Sequence, residues 1–208
     1  MIKVKVCGIT NWDDAAASAE AGCDALGFVF YKKSPRYIAP KKVSEIVKGL
    51  SLHPHIAKIG VFVNAREKTI RRIAKLCGLD MLQFHGNESP EFCSRFKGYK
   101  VIKAFRVKNK THLEHVLDYM PFAYLFDTFM ETKFGGTGRA FNWKMVRHID
   151  GLRRPVFLSG GLNAGNVKKA IEIVHPAWVD ASSSLEIKPG KKDTRKVKEF
   201  IKAAKGHK

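Results

Sequence analysis

The sequence predicts an α/β fold, a single-domain (β/α)8 TIM barrel over residues 1–208. Eight short apolar runs of β character recur along the chain, and segments with helical periodicity separate them. No long linker, low-complexity tract or shift in composition divides the chain, and alternating strands and helices favour a closed parallel barrel. An open doubly wound sheet is the alternative, but the dinucleotide fingerprint G-x-G-x-x-G does not follow the first strand.

The runs predicted as strands are rich in valine, isoleucine and phenylalanine, which favour extended backbone. Turn residues or helical segments follow each of them. The eight runs are KVKV at 3–6, ALGFVF at 25–30, AKIGVFV at 57–63, MLQF at 81–84, VIKAFRV at 101–107, AYLFD at 123–127, PVFLS at 155–159 and AWVDAS at 177–182.

The helices are predicted from capping residues at both ends of the periodic segments. Asn11 is expected to cap the first helix, acidic residues follow in its first turn, and Gly22 ends it. A helix is also expected after Arg36. Similar signals predict a helix between Asn64 and Gly78, one that starts at Ser89 and Pro90 and ends at Gly98, one each in NWKMVRHIDG and NAGNVKKAIEIV, and a C-terminal helix from Asp193.

Charge is the unusual bulk property of this chain. Its 38 Lys and Arg residues against 19 Asp and Glu residues give a formal net charge of +19, which raises the question of polyanion binding. The basic residues are spread over the whole chain, and no aromatic-rich basic motif accompanies them. We therefore expect no dedicated nucleic-acid site, although a basic surface attracts a multiply anionic small substrate.

The remaining composition indicates an ordinary cytoplasmic protein. The longest apolar stretch, DALGFVFY, is much shorter than a membrane-spanning helix, and no signal-peptide core follows the first methionine. The four cysteines are scattered and form no C-x-x-C pair, so neither disulfides nor a metal site is predicted. Whether the chain is a monomer or a homodimer stays open.

Polar side chains follow several predicted strands and indicate an active site. In TIM barrels the active site forms at the carboxyl ends of the strands. Cys7 ends the first strand, His85 follows the fourth, Asp127 closes the sixth and Asp180 lies in the eighth, while Arg36 belongs to the loop after the second. We expect these side chains to converge.

The loops after the seventh and eighth strands are predicted to hold a phosphate. Gly160 and Gly161 allow the backbone to approach an anion closely, and Ser182 and Ser183 add hydroxyl donors. Barrel enzymes commonly bind phosphate at these two loops.

Each of these residues also has a purely structural interpretation. Cys7 is compatible with a small buried hydrophobe, Asp127 with a turn cap and His85 with a hydrogen-bonded strut. Arg36 is compatible with an ion pair to an acid on the rim. The segment FGGTG, residues 134–138, is compatible with a flexible turn or with a closing lid.

Several motifs, taken in order over nearly the whole chain, resemble the phosphoribosylanthranilate isomerase family of tryptophan biosynthesis. They are KVCGIT, GFVFYKKSPRYI, IGVFVN, LQFHGNE, FDT with GGTGRAFNW, LSGGLNAGNV and DASSSLEIKPGKKD. The chain departs from the family pattern at Ser184, where glycine is usual, and this puts the donor set of the phosphate loop in question.

The resemblance implies a barrel that performs a cofactor-free Amadori rearrangement of N-(5-phosphoribosyl)anthranilate. It implies Cys7 as the general base, Asp127 as the general acid and Arg36 as the contact for the anthranilate carboxylate. His85 and Asp180 are expected to contact substrate, and the loops at Gly160–Gly161 and Ser182–Ser183 to hold its phosphate. No metal is expected.

These residue types suit that reaction. The sugar ring opens when its oxygen is protonated, and the iminium ion then loses the C2 proton, so one acid and one base are required. A carboxylic acid donates a proton well only when its pKa is raised by partial desolvation. For Cys7 we expect nearby cations or amide dipoles to lower the thiol pKa, so that the thiolate acts as a base and not as a nucleophile.

Three other functions compete with this interpretation. The nearest is the histidine-pathway isomerase that performs the same rearrangement on a doubly phosphorylated substrate, but the chain shows no half-barrel repeat, and activity on both substrates stays open. A basic polyanion-binding barrel predicts salt-dependent binding that survives loss of Cys7. A cysteine hydrolase needs a histidine oriented onto Cys7.

Overall fold

A computed structural model of the chain describes residues 1–107, 114–128, 143–147 and 152–206. Eight parallel strands close into a barrel in chain order, which confirms the predicted fold. The strands are β1 (Lys3–Cys7), β2 (Ala25–Val29), β3 (Ala57–Phe62), β4 (Met81–Phe84), β5 (Lys100–Val107), β6 (Ala123–Thr128), β7 (Val156–Leu158) and β8 (Trp178–Ala181).

Helices surround the barrel and connect its strands. They are α1 (Trp12–Glu20), α2 (Pro40–Gly49), α3 (Glu67–Cys77), α4 (Pro90–Ser94), α5 (Lys144–Arg147), α6 (Val167–Val174) and α7 (Thr194–Lys205). The described part of the connection between β5 and β6 contains only a 3₁₀ turn, Val116–Asp118. None of the helices in the described ranges is long and apolar enough to cross a membrane.

Most predicted helix ends are confirmed. The Asn11 side chain accepts a hydrogen bond from the Asp14 backbone amide, and the Ser89 and Asp193 side chains cap α4 and α7 in the same manner. Gly78 ends α3 in the left-handed conformation, with φ of 58°. The segment 134–138, which the sequence suggested as a turn or a lid, lies outside the described residues.

The predicted start of α3 and the predicted end of α4 are wrong. Asn64 is not the cap of α3, which starts at Glu67, because Asn64 adopts a left-handed φ of 49° and its side chain accepts a hydrogen bond from the Asn87 amide at 2.7 Å. Helix α4 ends at Ser94 and not near Gly98. Asn64 instead ties the loop after β3 to the loop after β4.

Side chains alternate along each strand and form two apolar layers. Val4 and Val6 of β1 belong to the cluster between the barrel and its helices, so Lys5 and Cys7 point into the barrel. A second cluster fills the barrel interior below the site and contains Ala25, Ile59, Met81, Ile102, Ala104, Ala123, Leu125, Phe157 and Trp178. Cys7 packs above that layer with Val29 and Val61.

A short antiparallel hairpin follows β8 and contributes charged groups near the mouth of the barrel. Its strands are β9 (Glu186–Lys188) and β10 (Lys191–Lys192). The buried Asp14 carboxylate of α1 holds the hairpin, since it accepts hydrogen bonds from the Lys192 amide at 2.7 Å and the Lys191 ammonium at 2.8 Å.

Candidate active site

One cavity lies at the carboxyl ends of the strands, with about 810 Å³ of free space including its open mouth. Every residue proposed for the site from the sequence lines this cavity, and together these residues come from six strands or the loops that follow them. These residues are Cys7, Arg36, His85, Asp127, Gly160, Gly161, Asp180, Ser182 and Ser183. Gln83, Ser159 and Ser184 line it as well.

Cys7 ends β1 with only 8% of its surface exposed. Gly27 is its neighbour on β2, and a Cβ atom at Gly27 would lie 2.7 Å from the Cys7 Sγ atom. Burial raises the pKa of the Cys7 thiol, although Lys5 opposes this effect. The expected lowering of the thiol pKa is therefore wrong for this cavity, because desolvation outweighs the nearby cation.

Lys5 is a charged residue of this site that the sequence interpretation missed. It is fully buried, and its Nζ atom lies 3.0 Å from Oδ1 of Asp180, its neighbour on β8. Burial alone lowers the pKa of the Lys5 ammonium, but Asp180 and Cys7 together outweigh burial and raise the pKa. Burial also raises the pKa of the Asp180 carboxyl, yet the direct contact favours an ionised pair since each group is the other's counterion.

His85 lies between Gln83 and Asp127. Its Nδ1 atom lies 2.9 Å from Nε2 of the Gln83 amide. The Nε2 atom of His85 lies 3.4 Å from Oδ2 of Asp127. The imidazole is thus oriented by a buried amide and faces the carboxylate across a distance that is long for a hydrogen bond.

Arg36 forms an ion pair with an acid, as the structural interpretation of this residue predicted. Its Nε and Nη2 atoms donate to the two carboxylate oxygens of Glu186 at 2.8 and 2.7 Å. Lys192 donates to the same carboxylate at 2.9 Å. Burial alone raises the pKa of the Glu186 carboxyl, but Arg36 and Lys192 outweigh it and hold the pKa below its ordinary range. Glu186 was not predicted from the sequence.

The position directly after Cys7 requires a glycine, Gly8. Its φ is +80°, and a Cβ atom there would lie 2.7 Å from Cδ of Arg36 and 2.9 Å from Oγ of Ser182. The missing side chain lets both residues approach the end of β1. Arg36 and Ser182 consequently both lie close to Gly8, in the loop that follows Cys7.

The loops after β7 and β8 form a cradle of backbone and hydroxyl groups. Gly160 and Gly161 have φ of 89° and 69°, in the region that favours glycine. The Ser182 Oγ atom is buried and has no hydrogen-bond partner within the described ranges. Such a group is suited to donate to an anion.

Ser184 connects the two loops of this cradle. Its hydroxyl donates to the Leu162 carbonyl, and its backbone belongs to the 3₁₀ turn Ser183–Leu185. Asn166 supports the other loop through a 2.9 Å hydrogen bond to the Gly161 carbonyl. Ser184 therefore connects the loop after β8 to the loop after β7.

Comparison with known proteins identifies the family. The family model described as N-(5'-phosphoribosyl)anthranilate (PRA) isomerase matches residues 4–203. The chain belongs to this family. A curated N-(5'-phosphoribosyl)anthranilate isomerase of Thermotoga neapolitana is 48% identical over 207 residues, which cover 99% of this chain and 100% of that protein. The resemblance found in the motifs is confirmed.

Solved structures of the family share the fold. Phosphoribosyl anthranilate isomerase of Thermotoga maritima matches with a TM-score of 0.94 and 43% identity over 100% of both chains. A structure of a family member in complex with reduced 1-(o-carboxyphenylamino)-1-deoxyribulose 5-phosphate matches with a TM-score of 0.89 and 42% identity, also over 100% of both chains. The protein is an isomerase on a TIM barrel.

Proposed function

We propose that the cavity converts N-(5-phosphoribosyl)anthranilate into 1-(2-carboxyphenylamino)-1-deoxyribulose 5-phosphate, a step of tryptophan biosynthesis in the cytoplasm, without a cofactor. The observation that carries this proposal is the presence of Cys7 and Asp127 in one cavity that also holds Arg36 and the glycine and serine cradle. A family member that binds the reduced product supports the assignment.

The two ends of the cavity suit the two anionic groups of the substrate. Gly160, Gly161, Ser182 and Ser183 offer backbone amides and hydroxyls to the phosphate. Arg36 donates to Glu186 from Nε and Nη2, and no hydrogen bond of its Nη1 atom is present within the described residues, so Nη1 is proposed to contact the anthranilate carboxylate. Binding both ends fixes the ribose between the proposed acid and base.

The proposed chemistry uses one proton donor and one proton acceptor. Asp127 protonates the ring oxygen, the C1–O bond breaks, and the electrons of the anilino nitrogen form the C1=N iminium bond. The Cys7 thiolate then removes the C2 proton, which neutralises the iminium and gives an enolamine. Tautomerisation moves a proton from the C2 hydroxyl to C1 and leaves the ketone, so substrate and product are isomers.

His85 and Asp180 are proposed to contact the substrate and to orient the acid and the base. His85 faces Asp127, and Asp180 lies in the cavity wall beside Lys5. The proposed partner is a phosphorylated small molecule, with no nucleic acid and no membrane, and the monomer or homodimer question stays a prediction.

Purified protein is assayed with phosphoribosylanthranilate and, in a separate reaction, with the histidine-pathway substrate. We expect rapid loss of phosphoribosylanthranilate fluorescence and formation of a product of unchanged mass. Exclusive turnover of the histidine-pathway substrate by a folded sample would contradict the proposal, and turnover of both would extend it to a second substrate.

A further inference from the structure

Lys5 places a fully buried ammonium directly beneath the thiol of Cys7. The two residues are separated by one position on β1, so both side chains point into the barrel. The charge of the Lys5 ammonium acts on the Cys7 thiol, and its Nζ atom lies 3.0 Å from Oδ1 of Asp180. One cation thus connects the proposed base to a carboxylate on the neighbouring strand.

Gly27 provides the space for this arrangement. A Cβ atom at Gly27 would lie 2.7 Å from Sγ of Cys7 and 3.1 Å from Cε of Lys5. The glycine therefore allows the lysine side chain to extend along β1 up to the thiol. A side chain on β2 at this level would displace one of the two groups.

A purely structural role does not account for a charge at this position. Moving an ammonium and a carboxylate out of water costs several kcal/mol per ion before their attraction is counted, and packed apolar residues are often equally stable or better. The interior layer below is filled by residues such as Ala25, Ile59 and Phe157. The barrel interior packs apolar side chains in this layer, so stability alone does not require the Lys5–Asp180 pair.

We propose that Lys5 is a positioning residue that stabilises the thiolate of Cys7 as the base of the reaction, and that Asp180 keeps Lys5 in place and charged. This inference rests on the proposed function. A thiolate beside an ammonium is favoured by Coulomb attraction and by a charge-assisted hydrogen bond. Desolvation works against the thiolate in this cavity, and Lys5 is the strongest effect that opposes it.

Other charged groups also act on this thiol. Asp180 disfavours the thiolate, and Lys192 favours it more weakly than Lys5 does. Asp127 and His85 act in turn on Asp180. Removing Lys5 should therefore leave Cys7 facing the Asp180 carboxylate with the weaker support of Lys192.

The test measures the ionisation of Cys7 without relying on catalysis. Parent and Lys5→Met proteins are treated with iodoacetamide over a range of pH, and mass spectrometry of the Cys7 peptide gives the alkylation rate at this residue alone. We expect Lys5→Met to slow alkylation about tenfold near neutral pH and to move the profile up by about one pH unit.

The isomerase assay supplies a second readout. The kcat of Lys5→Met should fall while KM changes little, and raising the pH should recover a growing share of the parental rate. A variant that has only lost stability would not regain activity in this way. The alkylation profile stays informative if the protein does not turn over phosphoribosylanthranilate, so failure of this inference is distinguishable from failure of the proposed function.

Lys103→Met is the matched control. Lys103 is also buried and ion-paired, with its Nζ atom 2.8 Å from Oε2 of Glu88, and its loss should leave the pH profile of Cys7 alkylation unchanged.

If Lys5→Met fails to fold because Asp180 is left unpaired, the double variant Lys5→Met with Asp180→Asn removes both charges. That double variant should still shift the profile upward, since Lys5 acts on the thiol more strongly than Asp180 does. An unshifted Cys7 profile in a folded variant lacking Lys5 would overturn the inference.

Discussion

Arg36 and Glu186 form a two-point ion pair at the rim of the cavity, with distances of 2.8 and 2.7 Å. The carboxylate is itself fixed by Lys192, which belongs to the hairpin that Asp14 holds. The guanidinium is therefore oriented before any ligand arrives. Such preorganisation reduces the entropy lost when a carboxylate binds.

Glu186→Gln should weaken recognition of the substrate carboxylate. The neutral amide cannot accept both Arg36 donors, so we expect KM for phosphoribosylanthranilate to rise about tenfold while kcat changes little. Steady-state kinetics with N-(5-phosphoribosyl)aniline, which lacks the carboxylate, should show a much smaller change in KM. Glu199→Gln on the exposed face of α7 is the control. Equal losses on both substrates would contradict this role.

The same glutamate should make stability depend on pH in the acidic range. Its pKa in the folded protein lies below the ordinary 4.5, so it stabilises the fold above that pH, and this contribution is lost as the pH falls through the lower folded pKa. Urea unfolding between about pH 3 and 6 should show that acid lowers the free energy of unfolding less in Glu186→Gln than in the parent. If the free energy of unfolding fell equally with pH in both proteins, the contribution of Glu186 to stability would be refuted.

Ser184→Ala should loosen the phosphate cradle. The variant loses the hydrogen bond to the Leu162 carbonyl that ties the two loops, and we expect KM to rise about three- to tenfold. Competitive inhibition by inorganic phosphate should weaken by a similar factor. Ser94→Ala removes a comparable hydroxyl contact, to the Glu91 carbonyl, far from the cavity and should change neither constant. If phosphate inhibited Ser184→Ala as strongly as the parent, Ser184 would have no role in shaping the phosphate cradle.

Gly8→Ala and Gly22→Ala separate backbone strain from crowding. Both glycines have a left-handed φ, +80° and +86°, but only at Gly8 would the new methyl group meet other atoms, those of Arg36 and Ser182. Gly22→Ala should lower the free energy of unfolding by about 1–2 kcal/mol, and Gly8→Ala by about 1–3 kcal/mol more. Denaturant unfolding measures both, and similar losses would show that the close approach at Gly8 is unimportant.

The chain itself carries enough information to predict the barrel and the composition of its mouth. The run MLQF coincides with β4, from Met81 to Phe84, because a short apolar segment between turn signals has few alternatives. Cys7, Asp127 and Asp180 meet because parallel strands of a closed barrel end on one face. Their convergence follows from topology alone.

Contacts between distant positions could not be predicted in the same way. Glu186 lies 150 residues from Arg36, and no local pattern pairs them. Asn64 adopts a left-handed conformation because a loop 23 residues away donates to its side chain. The direction of the Cys7 pKa shift depends on how deeply the thiol is buried. Lys5 did have a local signal, since a charged residue two positions before Cys7 must share its face of β1.

The proposed roles of Cys7 as the base and Asp127 as the acid are tested by the rate of phosphoribosylanthranilate turnover in the parent, Cys7→Ser and Asp127→Asn. Asp118→Asn, on the exposed surface, is the control. We predict rapid turnover by the parent and the control, and losses of about a hundredfold or more in kcat for both site variants, because each removes the acid or the base. Folded site variants that retain the parental kcat would contradict the proposed acid and base.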